Sequence, residues 1–471
     1  MLVLADIAEG LTGVRPSELE GRSTSVGVDS RQVQPGGVFV ALRGERADGH
    51  DYVADALARG AAMAFVQRPV EAPAPVVDLT VSPPTLPSPW SLPVLLRVSD
   101  TLAALQKVAA FWRRRHSPRV IGITGSVGKT TTKELIADVL SRRYRTLKSE
   151  KSYNNEIGVP LTLLQLTPKH ERVVLEMGMY DVGDIALLAD IALPHVGVVT
   201  IIGPVHLERA KTMERIIQAK TELVQALPPA PEGVAVLNYD DPNVLGMRYA
   251  TPARIFTYGL SPEADLWADQ IEGLGLEGVR FRLHYRGDRL YVRIPLLGRH
   301  SVHTALRAAA VGLVEGLTWQ EILEGLMAPS SQLRLVAVPG PRGSTILDDT
   351  YNASPPSMLA ALNLLEELQG RKIAILGDML ELGDYEREGH EKVGLRALEV
   401  VDILVTVGPR GRIIGETALR WGMPPERVHI LEDNAAAIHL LEDLVQEGDV
   451  ILIKGSRAMQ MEEIVNALSQ G

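Results

Sequence analysis

The sequence contains no cysteine, which excludes disulfides, thiolate metal sites and a cysteine nucleophile in one step. Aromatic residues make up only 4% of it, and together these two shortages fit a reducing compartment. Long apolar runs are also missing, and none approaches the length needed to span a bilayer. The opening stretch, Met1-Leu-Val-Leu-Ala-Asp-Ile-Ala-Glu-Gly10, has no charged leader region and no cleavage site, so the expected location is the cytoplasm, without stable membrane insertion. Positive charge is in deficit as well. A formal net charge of −10 argues against nucleic acid as a partner. The one basic cluster, Arg113-Arg114-Arg115-His116, reads as a solvated helix end before Ser117-Pro118.

What is present points to a globular α/β protein. The chain has 471 residues, of which 46% are hydrophobic, with glycine and proline spread throughout; a chain of that length divides into about three domains. Residues 1–93 alternate short strands with one helix and end in a proline-rich stretch, 68–93, read as an extended loop or linker. Residues 94–330 repeat strand, turn and helix, the pattern of a doubly wound, mainly parallel sheet. Residues 331–471 repeat the alternation.

The middle segment carries the most informative motif. Gly122-Ile-Thr-Gly-Ser-Val-Gly-Lys-Thr-Thr-Thr132 follows the apolar run Val120–Ile123 and opens a helical pattern reaching Leu140, so it sits where a buried strand turns into a helix. Glycines at 125 and 128 let backbone N–H groups close around an anion, and the helix N-terminus adds partial positive charge. Lys129 is placed to reach the β- and γ-phosphates of a nucleotide and the Thr130 hydroxyl to hold Mg²⁺. The spacing departs from the strict phosphate-loop pattern, because Ile123 stands where its first glycine would be.

In doubly wound sheets ligands bind beyond the carboxyl ends of strands. Glu176 follows one apolar run and His206 another, an oxygen and a nitrogen ligand suited to Mg²⁺ beside a nucleotide. In the third segment, Asp348-Asp-Thr-Tyr-Asn-Ala-Ser-Pro355, Gly377-Asp-Met-Leu-Glu-Leu-Gly383 and Gly455-Ser-Arg457 follow strands. They form a second binding edge, and with no second Gly-Lys-Thr it suits another substrate better than another nucleotide.

Taken in order, these residues resemble the Mur ligase family, ATP-dependent enzymes that add amino acids to the cytoplasmic peptidoglycan precursor. The resemblance spans essentially the whole chain, from the Thr124–Thr130 loop through Asn154-Asn-Glu-Ile-Gly-Val-Pro160, Glu176-Met-Gly178, His206-Leu-Glu208, Ala219-Lys-Thr-Glu222 and Arg334 to Lys454-Gly-Ser-Arg457. It implies a small α/β domain binding a UDP-sugar, a central ATPase domain and a Rossmann-like C-terminal domain. The motifs around Asp349 and Asp378 are similar to those of the family member that ligates D-alanyl-D-alanine to UDP-MurNAc-tripeptide. Another Mur-type amide ligase, including the enzyme adding the third residue, and a non-catalytic nucleotide switch are the alternatives.

By that resemblance Thr124, Gly125, Ser126, Val127, Gly128, Lys129, Thr130, Thr131, Asn155, His303, Arg334 and Asp349 contact ATP. Thr130, Glu176 and His206 hold Mg²⁺, and Lys220 is the lysine whose carbamylation creates a carboxylate for a second Mg²⁺; Lys129, Glu176, His206 and Lys220 form the catalytic set. Asp29, Ser30, Arg31, Asp48 and His50 hold the UDP-substrate, and Tyr351, Asn352, Asp378, Glu381, Lys454, Ser456 and Arg457 the amino substrate. After Gly298-Arg-His300 the family shows Asn-x-x-Asn, from which this sequence, with Ser301 and His303, departs. The chain is expected to act as a monomer.

Overall fold

The computed structural model describes residues 1–44, 47–82, 84–150, 153–204, 208, 211–327 and 336–469. The β-branched runs become strands buried on both faces and gather into three sheets. Among the described residues no helix is long and apolar enough to cross a membrane.

The first sheet holds β1 (Val26–Gly27), β2 (Val38–Val40), β3 (Met63–Val66), β4 (Val76–Asp78) and β5 (Val94–Arg97), all parallel, in the order β1-β2-β3-β5-β4. Two details correct the sequence reading. The proline-rich stretch contains an edge strand, β4, and β5, assigned to the middle segment, belongs here. Leu96 packs with Leu4 and Phe65, whereas Leu95 packs with Phe39 and Val53 on the other face. A strand apolar on both faces needs cover on both, and the first sheet supplies it.

The helix Thr101–Arg114, capped by Asp100, whose carboxylate accepts from the Ala103 N–H at 2.9 Å, leads to the second sheet. At its end Arg113 is no solvated charge: it is buried, and its guanidinium donates to the carbonyls of Ala192, Leu193, His116 and Pro118. It satisfies carbonyls at the end of the helix Asp184–Ala192, which would otherwise be orphaned.

The second sheet has nine strands, β6 (Arg119–Thr124), β7 (Thr146–Lys148), β8 (Arg172–Glu176), β9 (Val196–Val199), β10 (Val234–Asn238), β11 (Arg254–Gly259), β12 (Leu266–Gly273), β13 (Val279–Tyr285) and β14 (Asp288–Ile294), in the order β14-β13-β12-β11-β10-β9-β6-β8-β7. It is parallel from β7 to β12, and the strand–turn–helix repeat stops there. β12, β13 and β14 are antiparallel. The β13–β14 turn is Arg286-Gly287, with φ of 47° and 92°; positive φ at both positions matches the twist of a two-residue hairpin.

Strand order reverses between β6 and β9, which opens a crevice beyond their carboxyl ends. Gly122 of β6 and Gly197 of β9 are paired. A Cβ on Gly122 would stand 2.8 Å from Leu223 Cδ1, and one on Gly197 3.1 Å from Leu227 Cδ1. Two glycines in register therefore let the helix Met213–Gln225 lie close against the sheet, which brings Lys220 under the phosphate loop.

The third sheet holds β15 (Val336–Pro339), β16 (Thr345–Asp348), β17 (Lys372–Leu376), β18 (Ile403–Val407), β19 (Val428–Leu431) and β20 (Val450–Lys454), in the order β15-β16-β20-β17-β18-β19, with only β15 antiparallel to its neighbour. The last strand inserts beside β16, so the end of the chain meets the Asp348–Pro355 loop. Replacing Gly122 by valine should overpack the seat of the Met213–Gln225 helix and lower stability by about 1–3 kcal/mol, read as a lower urea midpoint; an unchanged midpoint would show that the helix is not seated on that glycine.

Candidate functional site

β6 ends at Thr124, and the loop that follows enters the helix Lys129–Leu140 with φ of 143° at Gly125 and 83° at Gly128. A Cβ on Gly125 would stand 1.8 Å from Thr200 Oγ1. Thr200, at the end of β9, donates through Oγ1 to the Val127 carbonyl at 2.7 Å, and Ser126 Oγ donates to the Gly203 carbonyl at 2.9 Å, so the loop is pinned to the neighbouring strand. Two ammonium groups converge on the Gly125 carbonyl, Lys129 Nζ at 2.9 Å and Lys220 Nζ at 3.1 Å. Lys220 is 2% exposed; its burial, with the nearby Lys129 charge, pushes its pKa well below the ordinary lysine value. Loop amides, a helix N-terminus and two lysines form an anion site.

Glu176 closes β8 and is 1% exposed. Its Oε2 accepts from Thr130 Oγ1 at 2.6 Å and its Oε1 from Asn154 Nδ2 at 2.8 Å. No cation pairs with it among the described residues. A buried carboxylate beside a hydroxyl, at the mouth of an anion site, has the oxygen donors that Mg²⁺ takes alongside phosphate and water. His206 lies outside the described residues, and among those described no group of three or more His, Asp or Glu side chains forms a metal cluster. Asn154 opens the motif quoted in the sequence reading, but the residue named there for the nucleotide site is its neighbour, Asn155. Asn155 Oδ1 instead accepts from the N–H groups of Ile157 and Gly158, at 3.3 and 2.9 Å, at the start of the helix Gly158–Leu163.

His303 bonds through Nε2 to Asp240 Oδ2 at 2.8 Å. Burial pushes the Asp240 carboxyl up, but His303 and the Leu260 and Ser261 N–H groups outweigh it and hold the pKa below the ordinary carboxylate value. Asp240 is a second residue that the sequence reading missed.

From the third sheet, Lys454 Nζ reaches Asp349 Oδ2 at 2.6 Å and the Asn352 carbonyl at 2.9 Å. Arg457 lies 5.7 Å from the centre of the Tyr351 ring. Ser456 Oγ accepts from the Leu380 N–H at 2.9 Å, and Glu381 is exposed at the rim. Asp378 does not join them. It is buried, and its Oδ1 accepts from the N–H groups of Arg410 and Gly411 at 2.9 and 2.7 Å, because the helix Gly411–Arg420 across the sheet needs its first amides satisfied. Arg334 lies outside the described residues.

These walls enclose one cleft of about 1580 Å³, in which the phosphate loop, Glu176 and Lys220 face Asp349, Tyr351 and Lys454. The first sheet's side adds Val28, Leu102 and Gln106. None of Asp29, Ser30, Arg31, Asp48 and His50 lines it. Asp29 is spent on Arg31, which holds its carboxyl at about 2. Asp48 caps the turn at His50, whose N–H and ring lower its carboxyl to about 2, and buried His50 accepts from the Gln67 N–H through Nε2 at 3.0 Å. Turn geometry takes these side chains first.

The chain matches the Mur ligase family catalytic domain over residues 22–113, the Mur ligase middle domain over 123–312 and the Mur ligase glutamate ligase domain over 333–457. The UDP-N-acetylmuramoyl-tripeptide--D-alanyl-D-alanine ligase of Mycobacterium tuberculosis is 37% identical to it, across 99% of this chain and 97% of that one. The chain belongs to the Mur ligase family. A crystal structure of MurF from Acinetobacter baumannii matches it with a TM-score of 0.85 at 30% identity, covering 99% of this chain and 98% of that one. MurF ligase from Thermotoga maritima in complex with ADP matches with a TM-score of 0.78 at 27% identity, covering 98% of both. Mur ligases are ATP-dependent amide-bond-forming enzymes, and the three-domain α/β fold that the resemblance implied is the fold found.

Asn154 holds the Glu176 carboxylate in place through its Nδ2 hydrogen bond. Replacing it with alanine should raise the Mg²⁺ concentration for half-maximal ATP turnover by about 10-fold or more; an unchanged requirement would leave Asn154 a packing residue only.

Proposed function

We propose that this Mur ligase joins D-alanyl-D-alanine to UDP-MurNAc-tripeptide, converting ATP to ADP and phosphate. The observation that carries the reading is the full-length similarity to D-alanyl-D-alanine-adding relatives, and a single cleft with a phosphate loop on one wall and the Lys454–Asp349 pair on the other supports it.

A carboxylate does not form an amide at neutral pH until its oxygen becomes a leaving group. The tripeptide's terminal carboxylate attacks the γ-phosphorus, the bond from that phosphorus to the bridging oxygen breaks, and ADP departs, leaving an acyl phosphate. The dipeptide's amine, having lost a proton, adds to the acyl carbon, and collapse of the tetrahedral intermediate expels inorganic phosphate. The first step needs positioning and charge neutralisation more than covalent help. Lys129 and the loop N–H groups supply both, and the pinning of the loop by Thr200 keeps those donors preorganised. Thr130, Glu176 and, by resemblance, His206 would hold Mg²⁺, which when bound neutralises phosphate oxygens.

Lys454, Asp349, Tyr351, Asn352 and Arg457 receive the amino substrate and close on the nucleotide; Val28 and Gln106 mark the end at which the UDP-sugar enters. Lys220 would gain a carbamate: its neutral amine would add carbon dioxide, forming an N–C bond and releasing a proton, and the new carboxylate would hold a second Mg²⁺. The support is burial, which favours the neutral amine. A lowered pKa makes that amine available below the ordinary 10.5, and carbamylation is lost as pH falls through the lowered value.

Phosphate release from ATP with UDP-MurNAc-tripeptide should require D-alanyl-D-alanine and yield a UDP-MurNAc-pentapeptide mass. Release answering only to a free amino acid would move the chain to another step, and release indifferent to any amine would overturn ligation. A Lys220→Ala variant should lose at least about 100-fold in rate and recover with short carboxylates; wild-type turnover without rescue would remove the carbamate.

A further inference from the structure

The helix Ser301–Val314 is buried almost all round, and its only Lys, Arg, Asp or Glu is Arg307, set in the run Ala305-Leu-Arg-Ala-Ala-Ala310. Arg307 is 6% exposed. Its Nε donates to the His303 carbonyl at 3.1 Å and its Nη2 to Thr304 Oγ1 at 2.9 Å. Among the described residues no carboxylate pairs with it. A guanidinium stays protonated in proteins, and beside the neutral Tyr258, whose ring centre lies 5.8 Å from its Cζ, a positive charge sits in the interior with no counter-ion among the described residues, a placement that is strongly unfavourable unless something else neutralises it.

Its direction identifies that partner. Nη1 and Nη2 lie 3.6 and 3.7 Å from the position a Cβ on Gly128 would occupy, and Nη1 takes part in neither hydrogen bond. Gly128 is the residue from which the helix Lys129–Leu140 starts, so the guanidinium flanks the amides that form the anion site. Arg307 also lines the cleft together with His303 and Asp240. Lys129 and Lys220 crowd the Gly125 side of the loop, and Arg307 stands at its Gly128 end.

We propose that Arg307 is a phosphate-binding residue of the nucleotide site, donating from Nη1 to a non-bridging oxygen of the nucleotide's diphosphate where that group rests on the helix N-terminus. The inference rests on reading the cleft as a nucleotide site. The nucleotide then serves as the counter-ion that no carboxylate among the described residues supplies.

The test is titration calorimetry of the full chain with ADP and with adenosine, in wild type and in Arg307→Met, which keeps the aliphatic packing. ADP affinity should fall about 10- to 100-fold, as for loss of a charge-assisted hydrogen bond, while adenosine affinity stays within about twofold and the thermal midpoint without ligand does not fall. Arg307→Lys, which keeps charge and volume, should recover part of the ADP affinity, and its KM for ATP should lie between those of the other two forms. Equal loss for ADP and adenosine, or a lowered midpoint with unchanged ADP affinity, would make Arg307 a packing residue and overturn the proposal. Wild-type protein that binds ADP no better than adenosine would instead overturn the nucleotide reading of the cleft, and this inference with it.

Discussion

One backbone oxygen organises the cleft. The Gly125 carbonyl accepts from the ammonium groups of both Lys129 and Lys220, two like charges drawn to one point from different elements. Their mutual repulsion, added to burial, is why Lys220 favours the neutral form. The arrangement exists only because three glycines remove side chains: Gly122 and Gly197 let the Met213–Gln225 helix approach, and Gly125 makes room for Thr200. A methyl group at any of them moves a lysine or the loop.

The same geometry explains which parts of the site could be read from the sequence. Lys129 follows a strand by a fixed number of residues, and a helix N-terminus fixes where it must be; Glu176 ends an apolar run and has only the crevice to face. Both were visible because local structure dictates them. Asn154 and Asn155 are adjacent and chemically identical, and only the start of the Gly158–Leu163 helix decides which one caps it and which turns to Glu176. Asp378 stands two residues past the end of β17, beyond the same kind of strand end that Glu176 closes, yet a helix across the sheet claims its carboxylate. A strand-end carboxylate has two calls on it, a neighbouring helix N-terminus or the cleft, and spacing along the chain does not distinguish them.

Sheet membership was similarly hidden. Val94-Leu-Leu-Arg97 announces a strand, but hydrogen-bond partners are chosen in three dimensions, and β5 went to the first sheet because apolar cover existed there on both faces. The β12–β14 extension was more legible than the sequence reading allowed. Val279, Phe281 and Leu283 alternate with Arg280, Arg282 and His284, a period of two that a helix does not show.

The two walls of the cleft differ in charge, and that difference sorts the reactants. On the third-sheet wall Lys454 is matched by Asp349, an internally neutral pair whose separated ends suit a substrate carrying both an amine and a carboxylate. On the second-sheet wall the phosphate-loop N–H groups, the N-terminus of the helix Lys129–Leu140 and the Lys129 ammonium gather positive charge, and the field there favours the most negative group, a triphosphate. Contact between the walls is light among the described residues: Leu297 packs against the third-sheet core, Glu367 and Leu368 lie beside Gly273 and Gly275, and the Glu208 N–H donates to the Glu381 carbonyl at 3.3 Å. Interfaces of that kind allow domains to move. An acyl phosphate formed between them survives only while water is excluded, so the light contacts let reactants enter and the charge difference ensures that each meets the wall it fits.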